Sequence, residues 1–404
     1  MRLSIPTNWD LGLLWYLESH RDLSVTEIYA SLDKTLIGGG RSDWCLPVIT
    51  KKHAQRFISK VRELGIKFSY LLNSPCAGGL EYTPSGKKHL IKQLDWLEKS
   101  GVDSVVVSIP FLVEFIKKKF RRMKITVSVI AHVNSVERAR FFEELGADTI
   151  TVDFMENRNF RLLKALKEAV KCEIQLLLND ICLYGCPFRF YHYNLMGHCS
   201  QENFKIKNRR ADFYCLLKCT LLRYSRPEEL LRSRWIRPED LNVYERIGID
   251  LFKISGRTES TSWIINAMQA YSNRQYAGNL LDLLTSFETP KYNFNYLKRK
   301  SFLSEFLEYL PIGRHRNFYK FGLNLPSGSL KNLVQLYIQA RGIKNHVFID
   351  NKALNNFINF FLEEKTFCQE YNYCKSLAKD VIKINNSALA GYLTTIQKNL
   401  ENLI

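Results

Sequence analysis

What the 404-residue chain lacks narrows its function before any motif is read. No apolar run is long enough to span a bilayer. Residues 104–116 come closest, and Pro110 and Glu114 interrupt them. The first residues, Met1-Arg2-Leu3-Ser4-Ile5-Pro6, carry no apolar stretch of the secretory kind, so a cytoplasmic, reducing compartment and no membrane partner are expected. A His-Glu-x-x-His zinc motif and a Gly-x-Ser-x-Gly elbow are both missing, which removes two common routes to hydrolysis. Acidic residues are scarce beside basic ones. Asp+Glu 40 against Lys+Arg 58 leaves +18, a bias towards anionic substrates or RNA that identifies neither. With 46% hydrophobic and 13% aromatic residues spread throughout, the composition excludes disorder over most of the length and supports a large core.

Cysteine is the opposite case. Ten are present in a chain expected to stay reduced, and five of them, Cys182, Cys186, Cys199, Cys215 and Cys219, fall within one short stretch. Disulfides do not account for that, so metal or cluster ligation is the alternative to buried small hydrophobes.

The first two-thirds alternates β-branched runs with amphipathic stretches. Strands are predicted at 3–6, 27–31, 67–72, 104–109, 124–130, 149–153, 173–178 and 251–254, with helices such as 51–64, 86–99, 135–145 and 158–170 between them. Thr83-Pro84 marks one helix start, and Asn134 with Glu137 resembles a capping box at another. Gly101-Val102-Asp103, Gly146-Ala147-Asp148 and Gly248-Ile249-Asp250 repeat one phrase between a helix end and a strand. Eight strands alternating with helices predict an α/β fold, a (β/α)8 TIM-like barrel, with an open doubly wound sheet as the alternative. The barrel is expected to occupy 1–280, with a Cys-rich insertion after the seventh strand at 181–238 and a helical C-terminal extension at 281–404. Thr7-Asn8, Gly38-Gly39-Gly40-Arg41, Asn73, Pro110, His132, Asp153, Asn179-Asp180 and Gly256-Arg257 then gather at the rim where strands end, the face on which such barrels do chemistry.

Two close pairs, Cys182 with Cys186 and Cys215 with Cys219, make a four-thiolate set suited to a 4Fe–4S cluster or to zinc. The C-x3-C spacing favours iron–sulfur, since zinc prefers tighter turns. Cys199 is a fifth candidate able to replace one member. Cys368 and Cys374 are core thiols, neighbours of the first cluster or part of a second one. Cys45, Cys76 and Cys172 read as ordinary partly buried cysteines.

Further residues carry a resemblance. Ile236-Arg237-Pro238-Glu239-Asp240-Leu241 followed by Gly248-Ile249-Asp250-Leu251-Phe252-Lys253-Ile254-Ser255-Gly256-Arg257 resembles a stretch of the collagenase-like peptidase family, number 32 of the class of unknown catalytic type. Gln269-Ala270-Tyr271 and Tyr276 fit its following helix, and Leu178-Asn179-Asp180-Ile181-Cys182 through Cys186 occupies its cysteine-bearing signature. The chain departs from the pattern in its short C-x3-C spacing and in Ser255, where the family carries Glu. The resemblance implies a divergent branch with a barrel and, as in several branches, a 4Fe–4S cluster. Some branches are described as peptidases, and others hydroxylate RNA bases or quinone precursors without oxygen.

Around the cysteines stand Arg189, His192 and His198. Arg189 suits a carboxylate or phosphate clamp and His192 a proton transfer, or else both hold the insertion against the barrel. Lys253 and Arg257 are expected to meet an anionic substrate at the mouth, or to pair with Glu239 or Asp240. His132 reads as a satisfied core histidine or a catalytic one, and Gly38-Gly39-Gly40 as a plain turn or a phosphate cradle. Basic runs at 117–122, 223–237, 298–300 and 314–320 are solvated faces or an RNA surface, the last run interleaving aromatics. The expectation is an enzyme in which Cys182, Cys186, Cys215 and Cys219 hold the cluster and Arg189, His192, Lys253 and Arg257 serve the substrate. A partner subunit completing the site is a further expectation. Its competitors are a peptidase and a zinc-stapled RNA-binding module without turnover.

Overall fold

The computed structural model describes residues 1–202, 213–285 and 343–401. All eight predicted strands form: β1 (Arg2–Pro6), β2 (Val25–Ala30), β3 (Lys67–Leu72), β4 (Ser104–Val107), β5 (Lys124–Val127), β6 (Thr149–Thr151), β7 (Glu173–Leu177) and β8 (Leu251–Lys253). Each pairs in parallel with the next, and β8 closes on β1 through Leu3 opposite Phe252 and Ser4 opposite Lys253. That ladder makes a (β/α)8 barrel and excludes the open sheet. Helices α1 (Leu11–Ser19), α2 (Lys51–Glu63), α3 (Pro84–Lys99), α4 (Pro110–Lys119), α5 (Val136–Glu144) and α6 (Phe160–Ala169) return the chain between strands, and α11 (Thr261–Ser272) follows β8.

The repeated glycine phrase explains how the strands are started. Gly101, Gly146 and Gly248 adopt φ of +81°, +104° and +83°, ending a helix in the left-handed conformation that glycine tolerates. The aspartate two residues on then bonds the neighbouring strand. Asp103 accepts from the Phe68 amide at 2.8 Å, Asp148 from the Ile125 amide at 3.0 Å, and Asp250 from Arg2 at 2.8 Å. The helix starts hold as well, with one difference. Thr83 caps α3 through the Gly86 amide, whereas α5 is capped by Ser135 rather than Asn134, because the Ser135 hydroxyl reaches the Arg138 amide.

Strand alternation sends Leu3, Ile5, Phe68, Val105, Ile125, Ile150, Leu176 and Phe252 outward into one large core with the helices. The other set lines the lumen and is unusually polar. Ser4 and Ser69 each donate to Glu27 at 2.5 Å, Ser69 also bonds Ser104, and Thr151 donates to Gln175 at 2.8 Å. Above that layer Tyr29, Leu71 and Val106 form a small apolar group, and the Tyr29 hydroxyl donates to the Ile254 carbonyl.

Between β7 and β8 the chain makes α7 (Arg189–Cys199), α8 (Phe213–Ser225), α9 (Glu228–Arg232) and α10 (Leu241–Glu245) instead of one return helix. The tail is not purely helical. Besides α12 (Phe367–Val381) and α13 (Asn386–Glu401) it carries an antiparallel pair, β9 (Val347–Ile349) with β10 (Ile382–Ile384). It packs on the insertion and barrel within the same core. Asn279 donates to the Val347 carbonyl at 3.0 Å, Arg234 to Glu370 at 2.5 Å, and the Arg158 guanidinium lies against both the Trp235 and Phe357 rings.

Candidate active site

Three groups meet at the C-terminal end of the barrel. The first is the thiol set. None of the ten cysteines, all among the described residues, is in a disulfide. Cys182 and Cys186 lie on the loop leaving β7. Cys215 and Cys219, 1% and 8% exposed, are one turn apart on α8 and so share a helix face. Arg223 of α8 donates to the Ile181 carbonyl and ties the helix to the Cys182 loop. Burial pushes the Cys182 thiol up to about 12, with Asp180 and Cys219 adding to it and Arg223 and Arg189 opposing. Cys186 and Cys219 are also held above the ordinary thiol range by burial, and Cys186 by Cys219 as well. Cys219 therefore stands within electrostatic reach of both loop thiols. Among the described residues no three His, Cys, Asp or Glu side chains close into a metal-binding group, so the thiols share a neighbourhood without a ligand geometry. These four thiols are the residues that would hold a cluster or a metal ion, as thiolates, with Arg189 and Arg223 in electrostatic reach of Cys182 and Cys186.

The second group is cationic. Arg41 follows the glycine run, Lys253 ends β8, and Arg257 follows it. Burial lowers Lys253 to about 8, with Arg257 lowering it further and Glu27 acting the other way, and its ammonium sits 3.8 Å from the Tyr29 ring centroid. Burial and then Arg41 bring Arg257 to about 10, and Arg257 donates to the Ser31 hydroxyl at 2.5 Å. Burial is the largest influence on Arg41 and opposes its charge, but Asp180, Cys45, Tyr193 and Tyr29 together hold the guanidinium above its ordinary value. Lys253 and Arg257 do not pair with Glu239 or Asp240. Asp240 binds Arg237, and Glu239 accepts from Asn351 and the Tyr276 amide. Three cations thus crowd one mouth, with Asp180 acting on Arg41 and Lys253 and Glu27 acting more strongly on Lys253. Arg41 and Asp180 stood in the sequence as rim residues, but their electrostatic role could not be read there.

The third group joins α7 to the barrel. Arg189 donates to Asp153 at 2.6 Å and lies over the Phe154 ring at 4.6 Å, so its fork is engaged within the protein. The other oxygen of Asp153 accepts from His132 Nδ1 at 3.2 Å. His192 is lowered to about 4 by burial and by Arg41, so its imidazole is neutral throughout the neutral range. His198 meets Gln201 at 3.3 Å.

The glycine run acts as a docking surface rather than a phosphate cradle. Its amides donate to Thr35, Ser200 and Asn73. A Cβ at Gly38 would stand 2.6 Å from the Gly197 carbonyl, and one at Gly197 would stand 2.2 Å from the Ser74 hydroxyl. Both glycines let α7 pack directly on the rim.

The basic runs divide. Arg223, Arg232, Arg234 and Arg237 are buried and turned into the protein. The run at 117–122 spans the last turn of α4 and the link to β5, at the end of the barrel away from the mouth, beside a cavity of about 510 Å3 lined by Asp95, Glu98, Lys118 and Arg122. The runs at 298–300 and 314–320 lie outside the described residues. Cys374 is buried in the tail and raised to about 11 by that burial, while Cys368 is exposed.

The model of peptidase family U32 matches residues 50–282, more than half of the chain. The chain belongs to peptidase family U32. An uncharacterised protease of Methanocaldococcus jannaschii is 28% identical over 358 residues, 89% of each chain. The solved structure of the U32 peptidase Mk0906 is 23% identical and superposes over 63% of this chain and 93% of its own, with a TM-score of 0.48. In this U32 chain the Arg237-Pro238-Glu239-Asp240 stretch is an anchor: Asp240 fixes Arg237, whose other arm donates to the Asn351 carbonyl of the tail at 2.8 Å. Ser255 is likewise structural, its amide and carbonyl both bonded by Asn179.

Proposed function

We propose that this U32 protein is an iron–sulfur enzyme that carries out a redox modification, of the oxygen-independent hydroxylation type, on a small anionic or aromatic substrate or an RNA base. The observation that carries this reading is the common address of clustered thiols and buried cations at one barrel mouth. Cys182, Cys186, Cys215 and Cys219 would hold a 4Fe–4S cluster, which supplies one-electron transfer when bound. Lys253, Arg257 and Arg41 orient the anionic part of the substrate, and burial strengthens each contact by excluding water. His192, neutral and beside Arg41, offers a hydrogen bond without adding charge.

A second reading, peptidase, draws on the names of the two relatives. A cysteine nucleophile needs a lowered thiol pKa, and burial moves Cys182, Cys186 and Cys219 the other way.

Anaerobic purification followed by iron, sulfide and zinc analysis tests the proposal. A brown protein with four irons per chain is the expected outcome. Stoichiometric zinc would support a stapled binding module instead, and peptide cleavage that survives replacement of Cys182 and Cys219 would support a peptidase.

A further inference from the structure

We propose that His132, Asp153 and Arg189 form a proton-transfer site on the rim above β5 and β6, with His132 as the catalytic base and the other two as positioning residues. This goes beyond the redox reading and does not depend on whether the thiols bind iron. Three independent observations converge.

His132 sits at φ +53° and ψ +49°, a left-handed conformation that is strained for a non-glycine residue and needs surrounding structure to hold it. Arg138 of α5 supplies part of that hold by donating to the His132 carbonyl at 2.7 Å. The ring is then fixed by Asp153, which meets Nδ1 at 3.2 Å. Asp153 is itself fixed by Arg189 at 2.6 Å and by the Met155 amide at 2.9 Å. Although burial favours its neutral form, His132 and Arg189 bring the Asp153 carboxyl below its ordinary range, so it is charged and accepts. An ionised partner on Nδ1 selects the tautomer with the proton there and leaves Nε2 as a lone pair. Among the described residues Nε2 makes no hydrogen bond, and the ring keeps 7% exposure.

The surroundings indicate a ligand. Phe190 and Tyr191 at the start of α7 are 65% and 56% exposed, and the Phe190 ring lies 4.4 Å from that of His132. Tyr193 packs behind the imidazole at 5.7 Å. Glu156, on the turn after Asp153, is raised by burial, and Asp153 adds to that shift. An exposed aromatic shelf beside a ring nitrogen that makes no hydrogen bond fits a ligand with a flat apolar face and an ionisable O–H or N–H. In the step, His132 Nε2 takes the proton, the electron pair of the broken bond stays on the ligand atom, and the imidazolium is balanced by Asp153.

The test uses the full chain labelled with 15N-histidine. A long-range proton–nitrogen correlation at pH 7 is expected to show His132 as the Nδ1-protonated tautomer. Diethyl pyrocarbonate, read site by site by mass spectrometry, is expected to modify its Nε2. Asp153→Asn should mix the tautomers, so that part of the population carries its proton on Nε2, and slow that modification at least about twofold. If Asp153→Asn does not fold, Arg189→Lys is the second variant, and slower labelling is again expected. His132→Gln should retain whatever iron the parent chain binds, which separates this site from the thiols. A proton on Nε2 in the parent chain, an unmodified His132, or tautomers indifferent to both variants would overturn the proposal.

Discussion

The Arg189 guanidinium stands 2.6 Å from the Asp153 carboxylate, with their side chains only 9% and 5% exposed. One bond thus joins the helix of the insertion to the end of a barrel strand. It also fixes two things at once: the seat of α7 over the mouth and the charge that orients His132.

Breaking the pair should therefore be costly. Arg189→Met leaves the buried Asp153 with His132 and the Met155 amide but no cation of fixed charge, and is expected to lower unfolding free energy by about 3–5 kcal/mol, measured by urea titration. The pH sign follows from the lowered Asp153 pKa. Its contribution is complete above the unfolded carboxyl value and disappears as pH falls through the folded one. The parent chain should lose its advantage over Arg189→Met below about pH 4.

Anion binding should follow Lys253. The amine titrates near 8 in the fold, so it is charged at pH 7 and mostly neutral at pH 9. Sulfate, whose own charge is constant over that range, should bind roughly tenfold more weakly at pH 9 than at pH 7, by calorimetry or competition. Lys253→Gln should weaken binding at pH 7 and flatten the profile. A flat profile in the parent chain would remove Lys253 from the anion site.

Iron content should discriminate among cysteines. Cys182→Ala and Cys219→Ala are each expected to reduce bound iron at least about tenfold after anaerobic reconstitution, as loss of a direct ligand does. Cys172→Ala, at the far end of β7, should leave it unchanged. Equal loss in all three variants would indicate general unfolding instead.

The tail should depend on Arg158. That guanidinium, 4% exposed, donates to the Leu231 and Trp235 carbonyls and lies 4.5–5.0 Å from the rings of Trp235, Phe357 and Phe361. Arg158→Ala leaves both carbonyls without that donor and the ring stack without its cation. A loss of about 2–4 kcal/mol is expected, together with faster proteolysis of residues 343–401.

How much of this was legible in the sequence varies with the range of the interactions. The eight strands and the Gly-x-Asp repeat are local signals: a strand's period, a left-handed glycine, and an aspartate two residues later reaching the adjacent strand. These fixed the barrel before any coordinate was known. The cysteine bunching likewise pointed to one neighbourhood, and Cys182, Cys186 and Cys219 share it.

Other roles depended on partners far apart in the chain. Arg189 reads as a free clamp until Asp153, 36 residues earlier, is found against it. The arginines from 223 to 237 read as a surface run, yet four of them face inward because Glu229, Asp240, Glu370 and nearby carbonyls receive them. The glycine run reads as a phosphate cradle until α7 is seen packed against it. Sequence alone thus determined the barrel and its rim, since these follow from local periodicity and composition. Only the tertiary structure decided which charges are neutralised internally and which still face the mouth, because charge pairing is settled by distance in space.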